Sequence, residues 1–299
     1  MRGIAFGILS AAAGAVLRVS VAAYFSGGAD NSNAKTTVDK FAFPSDTRST
    51  LGTGLANTSQ SGAGMANSGV AGYAMPNGTT NKFAFPSDTR STIGAITNSG
   101  WMAGFANTGV AGYFAGGNGS TVTRIAFPSD TITTTTALSG GRYYVAGFSD
   151  RAVAGYVAGG DTTLGDVRVD TVDKFAFPAE TRTTLGTGLS TARGLGFGAA
   201  NYGTAGYAGA GFSTVGKVTT INKFAFPSDT RSTLGTGLPT AKAYVSATED
   251  TGVAGYIGNG DNENTVNKLA YPSDTISTLG TGFSVSRWGY QAFADQGSF

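Results

Sequence analysis

The sequence predicts an all-β fold, a six-bladed β-propeller of four-stranded antiparallel blades whose ring is closed by pairing of N- and C-terminal strands. Three observations carry that expectation. KFAFPSDTRSTLGTGL at residues 40–55 recurs letter for letter at 223–238, with variants starting at Lys82, Arg124, Lys174 and Lys268. A VAAY, VAGY or TAGY tetrapeptide precedes each copy, at 21, 70, 110, 153, 204 and 253. The copies start 42, 42, 50, 49 and 45 residues apart, the length of a four-stranded blade. One such unit cannot bury both of its faces, so an array of them makes a core only by stacking.

Each unit divides into four short strands. The first is small and apolar, as in GLGFGAAN from Gly194, and the second is the VAGYVAGG type. Glycine and alanine there let backbones crowd together near an axis. The third strand, TVDKFAFP, sets Phe175 and Phe177 on one face and Lys174 and Ala176 on the other, the two-residue period of a half-buried strand. The fourth is the TRTTLGTGL stretch. Six of the eight prolines, Pro44, Pro86, Pro128, Pro178, Pro227 and Pro272, end the third strand. Proline has no ladder donor and presets φ for the second position of a type I turn. The Asp two residues later is expected to satisfy that same turn with its carboxylate, which makes FPSDT the hairpin between strands three and four.

These residues resemble the kelch family. Tyr156 with Gly159 and Gly160, or Tyr113 with Gly116 and Gly117, is similar to that family's tyrosine and glycine pair, and KFAFPSDT to its third strand and turn. The resemblance covers nearly the whole chain in six copies and implies a propeller. It departs at the tryptophan that the family carries after the turn, where Ser or Thr stands here. Runs of AGYVAGG with KFAFPSDT are also similar in style to repeat proteins of bacteriophage virions and environmental bacteria.

The propeller is expected over 19–299. SRWGYQAFADQ, from Ser286, reads as a seventh first strand, so residues 288–295 are expected beside residues 21–28. Residues 1–18 then form an apolar arm that packs on the ring or on a neighbouring subunit; the alternative has the arm supplying its own strands and leaves the C-terminus free. The opening MRGIAFGILSAAAGAVLRVSVAA also resembles a secretory signal, but Arg18 interrupts it and cleavage near Ala23 would cut through a repeat. Its apolar run is shorter than the ~20 residues a bilayer requires, so no membrane span is expected.

Composition removes most chemistry. Charged residues are 13% of the chain with a net charge of +2, and Lys and Arg never cluster, which argues against nucleic acid. There is no His and no Cys, so the commonest general base, metal ligand and thiol nucleophile are missing. GTGL is glycine-rich but is expected in a strand and lacks the lysine and helix of a phosphate loop. No enzyme activity, cofactor or metal is expected.

Two rings of charge recur. Asp46, Asp88, Asp130, Asp229 and Asp274, with Glu180, could ligate cations but are expected to serve their own turns. Arg48, Arg90, Arg182 and Arg231, replaced by Ile132 and Ile276, are expected to pair with the Asp two residues earlier or to cover the outer strand. Only the loops between second and third strands vary, and loops on a constant scaffold carry recognition. They offer Asp30, Asn77, Asn118, Asp161, Asp166, Asp261 and Asn262 as candidate binding residues; the acidic stretches at 161–166 and 261–264 do not have EF-hand spacing. The expected function is a structural or interaction protein: a rigid building block of a phage virion or other extracellular assembly, binding protein partners or itself through its faces and arm. The alternative is a secreted or surface carbohydrate-binding module in which Trp101, Tyr143, Tyr144 or Trp288 stacks on glycans, although Trp101 and Tyr143 are expected to fill space between blades.

Overall fold

The computed structural model describes residues 21–295 apart from 77, 97, 99, 118 and 163–166. The arm expected at residues 1–18 and the candidates Asn77, Asn118 and Asp166 lie outside the described residues. The regular structure is all β: four-stranded antiparallel sheets, six in number among the described residues, with a three-stranded patch formed by Arg193–Gly194, Phe212–Ser213 and Gly216–Lys217. The second sheet runs in chain order through Gly62–Asn67, Ala71–Pro76, Thr79–Ala84 and Thr89–Ala95. The third runs from Met102–Asn107 to Thr131–Thr135, the fourth from Ala146–Asp150 to Thr181–Thr184, the fifth from Phe197–Asn201 to Thr230–Thr233, and the sixth from Ser246–Asp250 to Thr275–Thr278. The first sheet is assembled from both ends of the described chain. Trp288–Ala294 pairs with Ala22–Ala29, Ala23 opposite Ala294 and Gly27 opposite Tyr290, and Val38–Ala42 and Thr47–Thr50 complete it.

The arrangement is propeller-like. The innermost strand of each sheet packs on that of the next, and Trp288–Ala294 packs on both Ser246–Asp250 and Gly62–Asn67. The approach is close enough to require glycine: a Cβ on Gly104 would lie 2.0 Å from the Gly64 carbonyl oxygen, and one on Gly198 2.0 Å from that of Gly147.

One residue later along the same strands, side chains act as knobs. Phe293, Met65, Phe105 and Phe148 press on Gly72, Gly112, Gly155 and Gly206 of the following sheet, each about where a Cβ would stand 2.1 Å away. The exceptions compensate. Where the knob shrinks to Ala199, the Tyr271 hydroxyl reaches Gly255, 2.9 Å from its would-be Cβ. Tyr271 stands where the other copies have phenylalanine.

The repeated motifs meet each other across the sheet boundaries. Register sets Tyr24 opposite Lys40, and likewise Tyr73 and Lys82, Tyr113 and Arg124, Tyr156 and Lys174, Tyr207 and Lys223, and Tyr256 and Lys268. Each pair donates to the carboxylate in the next sheet's FPSD turn: to Asp88, Asp130, Glu180, Asp229, Asp274 and, from the sixth sheet back to the first, Asp46. Tyrosine hydroxyls lie 2.5–2.8 Å from the acceptors and the cationic nitrogens 2.6–2.8 Å. The Phe or Tyr of the same turn lies over the tyrosine ring, with centroids 4.7–5.6 Å apart. Burial first, then the carboxylate, raises the Tyr73 and Tyr156 phenols well above their usual range, so the hydroxyls remain donors.

Three expectations are corrected by this geometry. The Asp ring does not serve its own turns; it latches adjacent sheets, because the backbone closes the turn by itself, Asp46 N–H donating to the Ala42 carbonyl at 2.9 Å with φ 56° at Asp46. A cis peptide bond, absent from the sequence-based expectation, precedes each of the six prolines. GTGL lies outside the strands, which end at Thr50, Thr184 and Thr233 in those sheets. Its leucine is buried, and its N–H reaches back to the loop before strand three: Leu55 to Thr36 at 2.8 Å, Leu189 to Asp170 at 2.7 Å, Leu238 to Thr219 at 2.9 Å. The glycine before it lets the backbones cross, since a Cβ on Gly54 would meet the Thr36 oxygen at 2.3 Å.

Candidate functional site

The six inner strands line one cavity, and Trp101, Tyr144, Leu195 and Tyr244, which precede four of them, line it on the variable-loop side, with Trp288 stacked on Trp101. All five are half-buried. Trp101 stacks on Trp288 with centroids 6.0 Å apart and lies 5.4 Å from Tyr144 and 5.3 Å from Tyr244. Backbone bonds carry the cluster from sheet to sheet: Tyr144 N–H to the Trp101 carbonyl, Leu195 to Tyr144, and Gly289 to Tyr244. Gly289 is needed beneath it, because a Cβ there would stand 2.5 Å from the Trp101 ring. Trp101 therefore covers the axial cavity and does not fill space between sheets, whereas Tyr143 is buried against Tyr144 at 4.3 Å.

Of the described candidate loop residues, Asp30, Asp161 and Asp261 are engaged within the molecule. Asp30 accepts from Ser32 and Asn33 N–H groups and pairs with Lys35 at 2.6 Å; the lysine, then those amides, hold its carboxyl down to about 2. Asp161 exchanges backbone bonds with Tyr143 and is 1% exposed, and burial raises its pKa. Asp261 pairs with Lys217 of the three-stranded patch at 2.8 Å, beside Asn262, which has φ 61°. Among the described residues no cluster of three acidic side chains has the spacing of a metal site.

Beneath the loops of the first and fourth sheets, a buried arginine pins the linker to the sheet it enters. Arg287 donates to Asp39 at 2.8 Å, with both side chains fully buried, and Arg142 to Asp173 at 2.6 Å. Ser284 and Ser139 bind the same carboxylates through N–H and hydroxyl. Arg48 and Arg182 also turn to these carboxylates, at 3.7 and 3.6 Å, and not to Asp46 and Glu180, two residues before them. The cross-strand pairing explains the difference: Phe41 opposite Arg48 puts Asp39 diagonally within reach.

The opposite end of the sheets carries the turns. Asn67, Asp150 and Asp295 end inner strands there and accept from Gly109, Gly203 and Val21 N–H groups at 2.9, 3.0 and 2.8 Å. Burial raises Asp150 and Asp295 and pushes Asp250 up to about 6. At the start of the adjoining second strands stand Val21, Val70, Val110, Val153 and Val253, between 44% and 57% exposed, with Thr204 in the fifth sheet. These valines, and Tyr244 at the other end, escaped the sequence reading. The signal was present in the first letter of VAGY, an aliphatic residue repeated beside a turn where nothing in the strand pattern requires one.

No family model matches this chain, and no curated protein matches it.

Proposed function

We propose that the chain is a closed six-bladed β-propeller that works as a rigid, non-catalytic building block, binding protein through its ends. The observation that carries the reading is the valine set at the turn end: five half-exposed aliphatic side chains at equivalent positions. Repeated around an axis they form an apolar ring of the kind that protein contacts cover. Closure is supported by the sixth-to-first latch onto Asp46 and by the shared first sheet. Rigidity is supported by the latches and the buried arginine pins, and Asp295, Asp150 and Asp261 are held by contacts within the fold. The kelch-like affinity, the phage particle or other extracellular assembly, and the protein-binding arm at residues 1–18 rest on the sequence motifs.

Sedimentation at high protein concentration tests the reading. The wild-type chain is expected to form discrete oligomers or stacked rings, and a Val70→Asp, Val110→Asp, Val153→Asp variant to run as single rings with unchanged thermal stability. Single rings for both proteins would overturn self-assembly through this end. A second reading, carbohydrate binding, is favoured by one observation, the half-exposed cluster of Trp101, Tyr144, Tyr244 and Trp288. Saturable glycan-array binding lost in Trp288→Ala would select it.

A further inference from the structure

Three sheets place two guanidiniums around one buried side chain, and in one of them that side chain carries no negative charge. In the first sheet Asp39 lies between Arg287 and Arg48, and in the fourth Asp173 lies between Arg142 and Arg182. The fifth sheet keeps both cations, Arg193 and Arg231, and substitutes Asn222 for the carboxylate. Asn222 fills the slot well. Its oxygen accepts from Ser190 N–H at 2.9 Å and Arg193 Nη2 at 3.0 Å, and its nitrogen donates to Thr233 at 3.0 Å, where Asp173 accepts from Thr184. It supplies no charge.

Arg193 is 3% exposed, and its Nη1 has no hydrogen-bond partner among the described residues. The equivalent Nη1 atoms are satisfied, Arg142 on the Thr171 carbonyl at 3.0 Å and Arg287 on that of Thr37 at 3.2 Å. Arg193 also lines a small cavity walled by Tyr144, Ala146, Leu189, Phe197 and Ala208. A guanidinium stays protonated in proteins, and burying it without a counter-charge is costly. Burial, then the Arg231 charge, lowers its pKa to about 10, with no carboxylate acting against the shift as Asp173 and Asp39 do at Arg142 and Arg287.

We propose that the cavity beside Arg193 is a monovalent-anion site that takes a halide, chloride in ordinary solution. The ion supplies at the fifth sheet the charge that Asp39 and Asp173 supply at the first and fourth. A monatomic ion suits a cavity this small, which has room for a single compact occupant.

Crystals soaked in bromide and measured at the bromine edge are expected to show an anomalous peak beside Arg193 Nη1, and none beside Arg142 or Arg287. Exchange of gluconate for chloride at constant ionic strength is expected to raise Tm by about 2–4 °C. Asn222→Asp installs a carboxylate that the chain already accommodates twice, so the variant is expected to fold, to lose the bromide peak and to lose most of the chloride shift. No peak in the wild-type protein at saturating bromide, or an equal chloride shift in Asn222→Asp, overturns the proposal.

Discussion

The turn end and the loop end of each sheet join neighbours by different means. At the turn end one device is used six times: a tyrosine and a cation from one sheet, an aromatic ring and a carboxylate from the next. At the loop end the corresponding slot holds Asp39, Asn81, Thr123, Asp173, Asn222 or Asn267, with partners that range from a buried arginine to a side-chain amide or a backbone N–H. The difference teaches where freedom lies. The latch must satisfy two sheets at once, so a change on either side leaves a partly buried charge or hydroxyl unpaired. A loop-end slot closes mainly on the linker that enters its own sheet, so slot and linker can change together. The latch itself contains the one exception that follows the same logic: Arg124 accompanies Glu180 wherever the other copies combine lysine with aspartate, and Thr135 adds a further bond to Glu180.

Removing the shared first sheet is the most severe way to break the comparison. A chain ending at residue 285 loses Trp288–Ala294 and the Arg287–Asp39 pair, and is expected to lose its cooperative unfolding transition in calorimetry. Phe148→Ala follows, because it empties the knob pressed on Gly206; a loss of about 3–5 kcal/mol in denaturant titration is expected for a buried phenylalanine. Asp173→Ala leaves Arg142 buried and unpaired and is expected to cost about 3–5 kcal/mol, whereas Asp173→Asn, which copies the fifth sheet, is expected to cost less. A single latch, Asp130→Ala, strands Tyr73 and Lys82 in a partly exposed site and is expected to cost about 1–3 kcal/mol. Equal losses for the latch and the loop-end pin would remove the distinction drawn between them.

The smallest effect is a pH dependence. Burial holds Asp250 at about 6, above the 3.8 of a free carboxyl. The native state therefore keeps a proton that the unfolded chain releases, and the stability this group contributes below about pH 4 is lost as pH rises through 6. Asp250→Asn is expected to flatten that fall in Tm between pH 4 and 6. Asp30, held down at about 2 by Lys35 and its own loop amides, works in the opposite sense, its contribution fading as pH drops from 4 to 2. If wild-type stability rises steadily from pH 4 to 6 with no difference in Asp250→Asn, the buried environment assigned to Asp250 is wrong.

The all-β class, the four strands per unit and their order were legible in the letters alone. Local pattern is enough for these, since the alternation around Phe175 and the glycines of VAGY act within one sheet. The first sheet's use of residues 288–294 was also approachable, because the repeat count left one first strand over. What the Asp of FPSDT touches was not. Its nearest neighbours in sequence offered a complete turn, and only packing reveals that the backbone closes that turn by itself while the carboxylate faces the tyrosine and lysine of another sheet. The paired exceptions Arg124 and Glu180 were the available clue, 56 residues apart in the chain. The burial of GTGL leucines, the tryptophan over the cavity and the carboxylate missing beside Arg193 belong to the same category. Repetition fixes what each unit is, because secondary structure depends on near neighbours; which side chains meet across units depends on distances that only stacking creates.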